Sequence, residues 1–498
     1  MFGLRRLEYK WIVGIVFVFA IFMDLLDMTI VNVALPTFAK EFHASTTAIE
    51  WVVTGYLLSL AVSIPASGWV GDRFGTKRTF TLALVIFTGA SLLCSLAWNI
   101  ESLVGFRILQ GVGGGMLTPV GTAMLFRAFP PQERAKASSV LILPTVVAPA
   151  SGPILGGYLV QYVSWHWIFL INVPIGAVGV VAAATLLREE RQPQAGSFDI
   201  PGFAFGLTGL ATVTYALSRA GSQGFNDSQV AVFGLGGLVL LTIFTWVELR
   251  VAHPMINIRL LLNNRLFRAT NTVQIFTLAG FSGALFLLPI MLQSERGLSP
   301  LHSGLATFPQ AIGVVSMSQP ASRLYRHIGP RRMMVVGLIG SSLTAFAFSQ
   351  VGIATNLWWI RALMLCRGWS FALVIIPMQT ATFATITHDQ QGRASSIFST
   401  GRQVGSSLGV AILGTVLTSR LSHHHAVLGA PATTAGAVKA FQEGFIAASA
   451  LVALAILIAV LIQDRDAAPT LAPKRQAALG VLPPVAVPQA PVPVQARE

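Results

Sequence analysis

The amino-acid sequence predicts an all-α polytopic membrane protein. Of its 498 residues 54% are hydrophobic and only 10% are charged, whereas a soluble domain carries about 25% charged residues. The apolar residues leave room for about fifteen spans at about 20 residues each. The lysines and arginines sort to one side of those spans, the distribution expected of cytoplasmic loops. Together these features exclude a soluble globular enzyme and a disordered chain.

Long apolar runs, broken by charges, Gly/Pro or polar clusters, define fourteen segments. They lie near 11–35, 48–70, 79–98, 102–126, 137–161, 167–187, 200–218, 229–248, 268–292, 303–324, 333–353, 357–385, 394–418 and 442–463. The first follows Arg5 and Arg6, yet it is too long for a signal-peptide core and no small-residue cleavage site follows, so it is expected to stay. The tail 464–498 turns Pro/Ala-rich and is expected to be disordered. An even number of spans puts both termini on one side. That side collects 24 basic residues, and the other only Lys40, Arg219, Arg296, Arg420 and Lys439. Both termini are therefore expected in the cytoplasm. The same sorting accounts for the net charge of +14 without nucleic acid as a partner. Cys94 and Cys366 lie inside apolar runs and form neither a disulfide framework nor a metal-ligand spacing.

The chain also repeats itself. Arg134-Ala-Lys-Ala-Ser138-Ser139 at the start of the fifth segment is echoed by Arg393-Ala394-Ser395-Ser396 at the thirteenth. The loop Gly68-Trp-Val-Gly71-Asp72-Arg73-Phe-Gly75-Thr-Lys77-Arg78 is echoed by 322–332, with Arg326 where the acid would stand. The offset is eight segments, as two six-helix halves separated by an inserted pair would give. The expected layout is a six-helix bundle over 1–190, two inserted spans with cytoplasmic linkers over 191–266, and a second six-helix bundle over 267–463. Repeated halves around a central site are typical of secondary transporters.

These motifs resemble a known family. The 68–78 loop is similar to the G-x-x-x-D-R-x-G-x-[KR]-[RK] signature of the major facilitator superfamily. Arg107-Ile-Leu-Gln110-Gly111 resembles its fourth-helix motif, and Gly152-Pro153-Ile-Leu-Gly156-Gly157 its antiporter motif on the fifth helix. The segments 26–36 and 165–176 are similar to the fourteen-helix drug:proton antiporters of the EmrB/QacA group. The resemblance implies the major facilitator fold in a bacterial cytoplasmic (inner) membrane. It also implies alternating access and, among partners, small lipophilic substrates, protons and membrane lipids; it allows a periplasmic adaptor protein.

Some of the chemistry is readable from the residues. Asp24 and Asp27 share a face of the first helix, and carboxylates at that depth are costly and mark ion or proton pathways. Counted from the outer end, Asp27 lies about 12 Å in and Arg107 about 8 Å in, so the two are level enough to pair. Asp27 is the preferred proton carrier because it fits the resemblance; Asp24 is a second candidate. Asp72 can meet the positive end of a helix from the other half, by family analogy the one beginning near Arg393. Arg73 is placed to pair with Glu133, and Lys77 and Arg78 to meet lipid heads. The small residues at 152–157 allow close helix approach, and Pro153 a bend. Asn32, Gln110, Gln274, Gln310, Gln379, Gln403, Arg367 and Arg402 are candidates for lining the substrate cavity.

The expected function is proton-coupled efflux of drug-like, amphipathic compounds. No phosphate-binding Gly-x-x-x-x-Gly-Lys loop is present, so the proton gradient, with no metal or organic cofactor, is the expected energy source. A transporter of one metabolite is the alternative, and a non-transporting receptor the next. Enzyme activity has no supporting constellation. Asp24 and Asp27 suit cationic substrates, the intramembrane arginines suit anions, and the sequence does not decide between them.

Overall fold

Helix-start signals at the segment boundaries fix where the long helices begin. Asn99 accepts from the Ser102 amide at 2.8 Å while Ser102 answers the Asn99 amide, a capping box. Asn264 and Asn356 cap in the same way from their side-chain oxygens. The computed structural model describes residues 8–44, 46–191, 199–223, 227–251 and 258–480. The first half contains α1 Tyr9–Glu41, α2 Thr46–Phe74, α3 Thr76–Ser95, α4 Ile100–Ala128, α5 Arg134–Tyr162, and a broken helix α6 Trp167–Leu170 and α7 Asn172–Leu186. Next come α8 Ile200–Gln223, α9 Ser228–Arg250 and a short α10 Ile258–Asn263. The second half contains α11 Arg265–Ser294, α12 Pro300–Thr307, α13 Pro309–Ile328, α14 Pro330–Phe348, α15 Leu357–Thr382, α16 Gln391–His423 and α17 Thr434–Val460, before a terminal α18 Pro473–Ala478.

Each predicted segment coincides with a long helix or a broken pair. Among the described residues, nine helices are long and apolar enough to cross a membrane by length and composition. Of the rest, α4 carries Glu101 and Arg107, and α13 carries Arg323 and Arg326.

The internal repeat is visible in the packing. In the first half α1 packs on α5, α2 on α4 and α3 on α7; in the second, α11 packs on α16, α13 on α15 and α14 on α17. The halves meet along two seams, α2 with α16 and α5 with α13. Of the α8–α9 pair, α8 lies against α16 and α2 and α9 packs on α8; the Thr415 hydroxyl donates to the Ala220 carbonyl at 3.2 Å. Small residues permit these approaches. A Cβ on Gly405 would lie 2.8 Å from the Ile275 carbonyl, and one on Gly115 would lie 2.6 Å from the Leu60 carbonyl.

The two turns that repeat are built alike. Gly75 and Gly329 have φ of 102° and 92°, a region that glycine enters without the steric cost of a Cβ. After each, a helix opens with its amide on an acid from the far end of the same half. The Lys77 amide donates to Glu189 at 3.2 Å, and the Arg331 amide donates to Asp464 at 2.9 Å.

The tail departs from the expectation of disorder. Residues 464–470 form a 3-10 turn and Pro473–Ala478 a helix. Leu471 is fully buried, the hydroxyls of Tyr325 and Thr470 lie 2.6 Å apart, and the Ala472 amide donates to the Arg326 carbonyl at 2.9 Å. This strap also touches the Pro131–Glu133 turn of the first half. Apolar residues hidden among its prolines (Leu471 above all) give it a face to bury. Residues 481–498, the most Pro-rich stretch, lie outside the described residues.

Candidate functional site

The first-half core is apolar around a small polar centre, and helices α1, α2, α3, α4 and α7 each contribute to it. Asp27 is fully buried and Arg107 nearly so. The Arg107 guanidinium donates from Nη1 to Asp27 Oδ2 at 2.5 Å and to Gln110 Oε1 at 2.6 Å, and from Nε to the Val52 carbonyl at 3.2 Å. Gln110 Nε2 in turn donates to Asp27 Oδ1 at 2.9 Å and to Ser91 at 2.7 Å, and Asn172 Nδ2 donates to the same Asp27 oxygen at 2.9 Å. Asp27 is thus a neutralised, fully bonded anion, as a buried charge needs to be.

Asp24, one turn away, is held differently. It accepts from the Tyr56 hydroxyl at 2.7 Å. Among the described residues no cation lies within ion-pair distance of it. Arg107 sits 4.0 Å over the Tyr56 ring, a cation–π contact that ties the two acids into one cluster.

A second cluster closes the α2–α16 seam at the end of the bundle where both described termini lie. Asp72 pairs with Arg127 at 2.9 Å. Its carboxylate rests on the start of α16, where a Cβ on Gly392 would lie 2.7 Å from Oδ1. Ser67 and Ser396 face each other at 3.3 Å, and the Ser395 hydroxyl donates to the Pro119 carbonyl at 2.7 Å. Arg127 Nε donates to the His388 carbonyl at 3.2 Å, the hydroxyls of Ser138 and Thr380 lie 3.0 Å apart, and Phe126 stacks on Phe383 at 4.5 Å. Arg134 also donates to the Phe383 carbonyl. The void left between Asp72 and Gly392 is only ≈ 10 Å³, about one water probe. This end of the molecule is shut.

Comparison with known proteins decides the family. The model described as Major Facilitator Superfamily matches residues 17–410 and, in a second match, 270–495. The chain belongs to the Major Facilitator Superfamily. It is 36% identical over 412 residues to the "Multidrug resistance protein B homolog" of Mycobacterium tuberculosis, a match covering 82% of this chain and 76% of that one. Two solved structures share the superfamily fold. One is the human organic anion transporter MFSD10 (TETRAN), with a TM-score of 0.63, 15% identity and coverage of 90% of this chain and 99% of that one. The other is the proton:xylose symporter XylE bound to 6-bromo-6-deoxy-D-glucose, with a TM-score of 0.62, 15% identity and coverage of 90% and 94%. At that identity the likeness speaks for the fold alone.

Within this superfamily fold several expected residues take other places. Glu133 bonds Lys10 at 2.8 Å rather than Arg73, which is exposed. Asp72 sits at the start of α16 with its carboxylate flat on Gly392, and it pairs with the Arg127 side chain. Arg78 approaches Glu189 at 3.5 Å. Gln110, expected in the cavity, is buried inside the acid cluster. Asn32 is exposed and turns back to the Met28 carbonyl at 3.2 Å. Gly68 and Gly152 are close-approach points, against Ser396 and Thr29 respectively, whereas Gly71 meets Val120 at an ordinary 3.6 Å and Gly157 faces open space. Gly156 is buried, and α5 runs unbroken through Pro153. Gln379 and Gln403 are half-buried. Tyr56, Ser91, Asn172, Arg127 and Glu189 had not been singled out for these roles. Asn172 and Glu189 alone carried a signal, as polar residues at the two ends of an apolar run.

Proposed function

We propose that the protein exports lipophilic or amphipathic compounds in exchange for protons by alternating access. Membership of the superfamily, and similarity to a relative named for multidrug resistance, support the transport class. The proton assignment rests chiefly on one observation, the unequal bonding of the two acids. Asp27 is compensated by Arg107, so its charge is fixed in place. Asp24 has a hydroxyl partner and no bonded cation, so gain or loss of a proton there changes the net charge of the site. Charge change at that depth is what biases a two-state membrane protein. Asp24 is therefore assigned as the exchanging acid and Asp27–Arg107 as its anchor, which reverses the preference drawn from the sequence.

In this reading the termini end faces the cytoplasm, in keeping with the 24 basic residues on that side, and the shut seam is the outward-facing arrangement. Fourteen spans, as two six-helix halves and the α8–α9 pair, complete the topology. A proton from outside loads Asp24 as substrate departs. The seam then opens, the proton leaves to the cytoplasm, and the cavity takes new substrate. A periplasmic adaptor is a further partner that co-purification would reveal. The test is dye efflux in everted vesicles with and without a pH gradient. Asp24→Asn is expected to abolish gradient-driven transport while retaining substrate binding. Gradient-driven transport by Asp24→Asn at the wild-type rate would refute the assignment.

A further inference from the structure

The second half holds buried polar groups that proton coupling does not use. Arg367 on α15 is 2% exposed. One of its nitrogens, Nη2, donates to the Phe281 carbonyl at 2.7 Å, and the guanidinium lies 4.7 Å from the Phe281 ring, which stacks on Phe371. Its other terminal nitrogen is buried with no partner. Among the described residues no carboxylate comes within ion-pair distance of it. The same condition recurs on the neighbouring helices α11 and α13. Gln274 is fully buried with both amide atoms unpartnered, and Thr277 Oγ1 and Gln310 Oε1 are buried and unpartnered as well. Gln274, Thr277 and Phe281 follow one face of α11. Gly368, next to Arg367, abuts the Gln310 carbonyl, and its Cβ would lie 2.9 Å from the Val314 amide, so α13 and α15 touch here.

One carbonyl bond does not compensate a buried guanidinium, and a buried donor left without a partner is costly. Three side chains, Arg367, Gln274 and Thr277, each keep a buried donor without a partner, a condition that a ligand relieves. The fixed charge is positive and unpaired, and a guanidinium offers five donors in a fork that matches an oxyanion. We propose that Arg367, with the Gln274 amide nitrogen and the Thr277 hydroxyl, is a recognition subsite for the oxyanion of an amphipathic organic anion, whose apolar body packs beside Phe281. The subsite deepens the efflux reading and rests on it for its physiological role.

Full-length protein in lipid nanodiscs would be titrated with 2-naphthaleneacetate, its methyl ester and a naphthyl trimethylammonium analogue. Wild type is expected to bind the carboxylate about tenfold tighter than the ester, the gain of a charge-assisted hydrogen bond. Arg367→Gln should erase that difference and leave ester binding unchanged, and Arg367→Lys should restore part of it. Gln274→Leu, which removes only unpartnered atoms, should keep the Tm and weaken the carboxylate alone by about threefold. Equal binding of carboxylate and ester by wild type would overturn the proposal. So would an equal loss of both in Arg367→Gln or, if that variant does not fold, unchanged carboxylate affinity in Gln274→Leu. The two readings fail separately. Arg367-dependent carboxylate binding without gradient-driven efflux removes proton antiport and keeps the subsite. Gradient-driven efflux of the ammonium analogue without carboxylate preference does the reverse.

Discussion

Asp72 and Arg127 pair at 2.9 Å, both almost wholly buried, on the first-half side of the α2–α16 seam, and Arg127 simultaneously holds the His388 carbonyl of the second half. One guanidinium therefore neutralises the loop acid and ties the halves together. Removing it leaves a buried carboxylate uncompensated, a defect that costs about 3–5 kcal/mol in fully buried pairs. Opening the seam rehydrates Asp72, so the cost should appear as loss of closure. A Ser138→Cys/Thr380→Cys pair reports closure, since the native hydroxyls lie 3.0 Å apart. Arg127→Gln is expected to lower the disulfide yield of that pair several-fold. An unchanged yield would show that Arg127 does not hold the seam.

Two glycines separate closure from folding. A Cβ on Gly68 would lie 2.6 Å from Ser396 Oγ and 2.9 Å from the Gly392 carbonyl, both in the other half. Separation of the halves relieves that clash, so Gly68→Ala should lose most transport with little change in Tm. A Cβ on Gly111 would lie 2.5 Å from the Tyr56 carbonyl, within the same half. No rigid-body motion of the halves relieves it, so Gly111→Ala should cost about 1–3 kcal/mol by overpacking. Thermal unfolding and vesicle transport measured on both variants check the contrast. A Gly68→Ala protein that transports normally would place the closed seam outside the cycle.

These variants turn on contacts that the sequence carries unevenly. Helix positions were legible because apolar runs of spanning length have few alternatives in a chain this poor in charge. The Asp27–Arg107 pairing was legible because depth along a helix is simple arithmetic. Helix rotation is not, since it is set by packing against several neighbours at once. Gln110 therefore read as a cavity residue though it turns into the acid cluster, and Arg127, 55 residues from Asp72, carried no sign of its partner. Arg73 looked placed for Glu133 until Lys10, from the far end of α1, took that acid.

The Lys10–Glu133 contact has a pH signature. The bond from Lys10 holds the Glu133 carboxyl below its ordinary value of 4.5. A carboxylate whose pKa is depressed by folding stabilises the fold above its unfolded pKa, and that stability is lost as pH falls through the folded value. The loss should therefore begin below about pH 4.5 and be absent from Glu133→Gln. Parallel Tm profiles from pH 6 downward for wild type and Glu133→Gln would show that the contact contributes nothing, as many solvent-exposed ion pairs do.

The strap at 464–478 couples the same region to the second half. Asp464 accepts from the Arg331 amide at 2.9 Å and pairs with Arg475 at 2.8 Å, Tyr325 meets Thr470, and Leu471 fills the space beneath α13. Because the strap also touches the Pro131–Glu133 turn, it spans both halves only while the termini end is shut. Leu471→Asp removes about 1.5–3 kcal/mol of apolar burial and puts a charge in its place, so the strap should detach. The bundle would remain folded, with core helices whose burial does not depend on the strap. Expected outcomes are a fall in Ser138→Cys/Thr380→Cys cross-linking and new protease cleavage after Arg465 or Lys474. Tyr325→Phe, which deletes one hydrogen bond worth about 1 kcal/mol, should show the same changes in smaller degree. Cleavage without any change in cross-linking would mean that the strap covers the second half but does not contribute to closure.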